Sequence, residues 1–131
     1  MNLTVLFQIQ SAIILALMIF GVTKRRVRKI HVRTMSIVII WDILLVLQIE
    51  LSRSAIKTAS KGMENPVPLL IHLFFAISSV LLYFVMIWSG RKLLKGDSSR
   101  RKLHRCVGWT TLTFRVLTLI TSFWAAAESS L

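Results

Sequence analysis

Four long runs of mostly apolar residues punctuate the chain, at approximately 3–23, 34–52, 67–90 and 106–127. Each approaches the roughly 20 residues an α-helix needs to cross a hydrocarbon core about 30 Å thick. The runs are too long for the strands of an outer-membrane barrel, which are short and alternate in polarity. Between them lie polar connections. Leu51 to Pro66 mixes Lys, Ser, Ala and Gly and predicts a short surface helix or loop, with Pro68 suited to the first turn of the third span. Gly96-Asp97-Ser98-Ser99 predicts a turn. Positive charges follow the first run rather than precede it, and no A-x-A-like site closes it, so it is expected to stay as a helix and not to be a signal peptide.

Composition strengthens this pattern. The chain has 131 residues, 55% of them hydrophobic, and a mean hydropathy of +0.70. A soluble domain of this size lacks the interior volume to hide so much apolar surface, whereas lipid accepts it on the outside. The expected fold class is all-α: one integral membrane four-helix bundle filling residues 1–131.

Charge then orients it. Six basic residues follow the first span (Lys24, Arg25, Arg26, Arg28, Lys29, Arg33) and seven follow the third (Arg91, Lys92, Lys95, Arg100, Arg101, Lys102, Arg105). The connection after the second span holds only Arg53, Lys57 and Lys61. The positive-inside rule therefore predicts N- and C-termini outside and two basic cytoplasmic loops. A net charge of +12 in such loops sets topology and attracts membrane lipids, which argues against nucleic acid as a partner. The single Cys106 excludes an internal disulfide and a multi-thiolate metal site. It reads as a small filler at the membrane edge. No phosphate-binding loop, H-E-x-x-H motif or catalytic triad order is present.

Chemistry concentrates on the second and fourth spans, which run in the same direction. Arg28-Lys29-Ile30-His31 is matched by Arg101-Lys102-Leu103-His104, and Asp42 and Arg115 each lie eleven residues beyond their His. Eleven residues make about three turns and roughly 16 Å, so each pair shares a helical face. If the faces meet, Asp42 pairs with Arg115 near mid-membrane as a structural lock, because an unpaired charge there is expensive. The alternative is that either charge faces a partner subunit or a water-filled crevice. His31 would then lie near His104. Met35 shares the face of His31 and Asp42, and Gly108, Thr111 and Ser122 accompany His104 and Arg115, where small residues permit close helix approach. Two imidazoles beside a ring of cations suit a b-type haem, with nitrogens for iron and cations for the propionates. The competing reading seats each His among headgroups. Met35 could replace one imidazole, or simply pack.

The outer half is less specific. His72, Ala76, Ser79, Tyr83 and Met86 define a face of the third span that should look inward, while Glu50 and Arg53 end the second span, and Gln8 and Ser11 lie near the outer end of the first. His72 and Glu50 form a weak metal or quinol candidate, short of the three protein ligands a catalytic metal needs, and an ordinary polar contact is the simpler reading. Trp88 and Trp109 fit one interfacial belt and Trp124 the other, and Trp41 should pack in the bundle or on lipid.

Several short motifs resemble one family. Ile71-His72-Leu73 through Trp88, Lys95-Gly96, and Arg101-Lys102-Leu103-His104-Arg105 are similar to the YozB/CtaM-like small four-helix bacterial membrane proteins. His31-Val32-Arg33-Thr34-Met35 resembles that family's His-Arg-x-x-Met motif at the start of the second span. The resemblance implies a non-enzymatic accessory role in maturation or function of a haem-copper respiratory oxidase. It also implies the bacterial inner membrane and a larger membrane complex as partner. The chain departs from the pattern where Val32 occupies the Arg position and where Glu50 and Arg53 stand in place of another His, which suits a specialised relative. The His104-Arg105 step followed by Gly108 also resembles four-helix b-type cytochromes. Three function classes follow: oxidase accessory protein, haem-b electron carrier using His31 and His104, and structural subunit of a larger complex.

Overall fold

The computed structural model describes residues 3–53 and 67–129. It contains four long helices, α1 (Leu3–Thr23), α2 (Arg28–Arg53), α3 (Val67–Leu94) and α4 (Arg101–Ser129), with a 3-10 turn at Ser98–Arg100 before α4. The described residues contain no strand. Four stretches are long and apolar enough to cross a membrane: Val5–Thr23, Arg28–Leu51, Val67–Leu94 and Ser98–Ala125.

The helices outrun the apolar segments that announce them. α2 begins six residues before the expected start at 34, α3 runs on to Leu94, and α4 starts at Arg101 rather than 106. Apolar length reports the thickness of hydrocarbon, but Lys, Arg and Leu are good helix formers and the long Lys and Arg side chains snorkel to the headgroups, so the backbone stays helical through the interface. His31 and His104 consequently sit on regular helix, with fixed directions.

Two tight turns join the helices. After α1 the Lys24 N–H donates to Phe20 O at 3.1 Å and the Val27 N–H to Lys24 O at 2.9 Å. After α3, Gly96 takes a φ of 95°, a left-handed conformation glycine adopts without a Cβ penalty. Asp97 then caps the 3-10 turn, accepting from the Ser99 N–H at 3.2 Å and from the Ser99 hydroxyl. The Ser99 hydroxyl, helped by its N–H and by Arg100 and Lys92, holds the Asp97 carboxyl below its usual range. The expected surface helix or loop after Leu51 lies outside the described residues, apart from the last turn of α2.

Helix packing leaves one side of the bundle open. α3 and α4 pack along most of their length, α1 packs on α2, and α1 on α4 joins the two hairpins, whereas α2 and α3 make no comparable close approach. The apolar core is Phe7, Ile14, Met18, Val38, Ile39 and Leu45, with Tyr83. The bundle is inside-out by the standards of a water-soluble protein: Ile40 is 60% exposed while Arg115 is 2% exposed. On α4 the buried stripe is Thr111, Arg115, Thr118, Thr121 and Ala125. The Thr hydroxyls of 111, 118 and 121 donate to the carbonyls of Val107, Phe114 and Leu117, four residues back, so these side chains cross the dry interface already satisfied.

Candidate functional site

Inside the bundle, one side chain from each helix meets in a single polar centre. Arg115 on α4 donates from Nε to Asp42 Oδ2 on α2 at 2.8 Å. Its Nη2 donates to the Ser11 hydroxyl on α1 at 2.8 Å and to the Ser11 carbonyl at 3.2 Å. The Tyr83 hydroxyl on α3 donates to the same Asp42 Oδ2. Arg and Tyr are the longest polar side chains available, and they reach across spaces the backbones leave between α2, α3 and α4. Asp42 is 5% exposed and Arg115 2%, so the pair is held where stranding either charge is costly. Arg115 Nη1 is buried without a hydrogen-bond partner among the described residues. Arg115 also borders a cavity of about 50 Å³ that includes Asp42, His72, Ser79 and Thr118 in its wall.

Three turns away, at the basic end, the two imidazoles face each other. The ring centres of His31 and His104 are 6.4 Å apart with planes at 81°. His31 Nδ1 is 2.8 Å from the Gly21 carbonyl on α1. A carbonyl only accepts, so this nitrogen carries the proton. His104 Nδ1 shares a hydrogen bond of 2.8 Å with the Ser89 hydroxyl on α3, which also lies 3.3 Å from Met86 O. Both rings are thereby held through Nδ1, and for His31 this is the tautomer that leaves Nε2 with its lone pair, the arrangement found around metal-bound histidines. Gly90 makes room for the His104 ring: a Cβ there would come within 3.3 Å of His104 Cε1.

The remaining candidates are distributed differently. Met35 packs its Sδ on α1, 2.6 Å from where a Cβ on Gly21 would be. Gly108, expected to ease α4 toward α2, instead faces Met86 on α3, because the α3–α4 pairing is the tighter one. Ser11, expected near an outer end, reaches the level of Arg115. His72 pins α3 to α4, its Nδ1 lying 3.0 Å from Thr118 O and 3.1 Å from Thr121 Oγ1. Glu50 is half-buried near the distal end of α2. Among the described residues no three His, Cys, Asp or Glu side chains are grouped to hold a metal. Trp41 donates from Nε1 to Gln10 Oε1 at 3.3 Å across α1 and α2, and Trp88 lies under the Arg100 guanidinium, 4.9 Å from the ring centre. Cys106 is an exposed free thiol.

No family model, curated protein or solved structure matches this chain. Its function therefore has to be argued from the two constellations themselves. Sequence reasoning placed Asp42, Arg115, His31 and His104 but gave no partners to Ser11, Tyr83 and Ser89. One signal was present: each is a hydroxyl inside an apolar run, and a hydroxyl in hydrocarbon needs a hydrogen-bond partner. The Gly21 carbonyl left no signal at all.

Proposed function

We propose that this protein is a non-enzymatic integral membrane accessory protein of a haem-copper respiratory oxidase, with the His31–His104 pair as its working centre. The observation that supports this reading most is the facing of two imidazoles whose Nδ1 atoms are both tied to neighbouring helices. The resemblance of His31 to Met35 and of Arg101 to Arg105 to the YozB/CtaM-like motifs supplies the oxidase. The charge asymmetry of the connections supports termini outside and basic loops in the cytoplasm, and the same resemblance supplies the bacterial inner-membrane location.

The donor set fits a b-type haem: His31 and His104 would hold the iron through Nε2, and the neighbouring Arg and Lys residues would meet the propionates. Such a group would supply one-electron chemistry, or be the cargo of haem delivery. The chain's own contribution is to fix both rings and to exclude water from the bundle beneath them. An electron carrier is the second reading, favoured by the same ring spacing.

Visible spectra of detergent-purified protein, oxidised and dithionite-reduced, test this together with identification of copurifying polypeptides. Oxidase subunits should copurify, and any haem-b bands should vanish in His31→Ala and His104→Ala. Haem without an oxidase partner would favour the carrier. Fixed stoichiometry with an unrelated complex, together with tolerance of both substitutions, would establish a structural subunit instead.

A further inference from the structure

The open side of the bundle ends in a groove whose chemistry is unlike the rest of the surface. At the basic end, between α2 and the last turn of α3, lies a groove of about 450 Å³. It is lined by Val32, Ser36, Ile37 and Leu94 together with three cations, Arg28, Lys29 and Arg33.

The three cations are electrostatically frustrated. They occupy the first turns of α2, where the helix presents its positive end, and no acidic residue stands in that first turn. Among the described residues, the ion pairs are Arg100 with Asp97 and Arg115 with Asp42. The rim cations enter neither. Arg100, by contrast, is engaged by both Asp97 and Trp88. An external anion would relieve the frustration, and an apolar floor at a membrane boundary calls for an anion with a hydrocarbon tail.

We propose that this groove is a binding site for one anionic phospholipid, its phosphate held by Arg28, Lys29 and Arg33 and an acyl chain lying along Val32, Ile37 and Leu94. The lipid wedges the seam between α2 and α3 that no backbone packing closes. It seats one residue away from His31, so its presence bears on the orientation of α2 at the imidazole pair. The proposal requires only that the four helices span a bilayer, and it stands apart from the assignment of the His pair to an oxidase.

The test is native mass spectrometry of delipidated protein titrated with phosphatidylglycerol or phosphatidylcholine. One phosphatidylglycerol should be retained in preference to phosphatidylcholine. Arg28→Gln/Lys29→Gln/Arg33→Gln should weaken that retention on the order of 100-fold, from roughly a fivefold contribution per cation near the headgroups. The control Arg101→Gln/Lys102→Gln/Arg105→Gln, which removes as much charge elsewhere on the same end, should leave it within a few-fold. Ile37→Trp fills the groove without altering charge and should displace the lipid. A photo-crosslinker at position 37 in intact membranes should trap lipid. Equal loss in the two charge variants, equal retention of phosphatidylcholine, retention in Ile37→Trp, or a trapped polypeptide would each overturn the proposal.

Discussion

The Asp42–Arg115 centre and the His31–His104 pair occupy the same two helices at the same spacing, yet they are finished in opposite ways. In the first, Nε and Nη2 of the guanidinium and one carboxylate oxygen are engaged inside the bundle, and all four helices contribute. In the second, each half-buried ring is fixed through Nδ1 alone, and the His31 Nε2 is left as the basic atom. Polar groups that engage one another inside a membrane act as fasteners. Polar groups that are oriented by neighbours but keep a lone pair are suited to bind something else.

The largest effects should come from breaking the fastener. Asp42→Asn or Arg115→Gln should lower stability by about 3–5 kcal/mol, since each strands a buried charge. Thermal unfolding in detergent and the yield of folded protein measure this, and exchanging the two residues should restore part of the loss. Next comes Tyr83→Phe, which removes a single hydrogen bond to a charged acceptor while keeping the ring. It should cost about 1.5–3 kcal/mol. Ser11→Ala should cost less, because Arg115 Nη2 keeps the Ser11 carbonyl. If Tyr83→Phe proved as damaging as Arg115→Gln, the carboxylate would depend on the phenol as much as on the guanidinium.

The contrast also explains what the sequence could disclose. Four apolar runs announce four helices because lipid imposes a length, and an acid and a base at equal depth on parallel helices announce a pair because hydrocarbon forbids a lone charge. The helix ends escaped, since Arg28–Arg33 and Arg101–Arg105 are polar by composition and helical by backbone propensity. The open α2–α3 side escaped as well, because it depends on which helices pack closely, and periodicity does not encode that. Ser89 and the Gly21 carbonyl escaped for a simpler reason: hydrogen bonds to a backbone or to a single hydroxyl leave no spacing rule.

The smallest stability effect should lie at the Asp97 cap. Its carboxyl is held below the ordinary range by Ser99, so its contribution is present above the unfolded-state value and fades as pH falls through the lower folded value. Asp97→Asn should flatten that acid-side dependence in thermal unfolding, leaving the imidazole pair and the fastener unchanged.

The central claim is that the imidazole pair works while the ion centre holds. The most direct measurement is oxidase activity in membranes of cells lacking the native protein and complemented with His31→Ala, His104→Ala or wild type at matched protein levels. The account predicts normal accumulation of both variants, with unfolding temperatures near wild type, and loss of oxidase activity. Full activity from both variants would contradict it and leave the histidines as fasteners like Asp42 and Arg115.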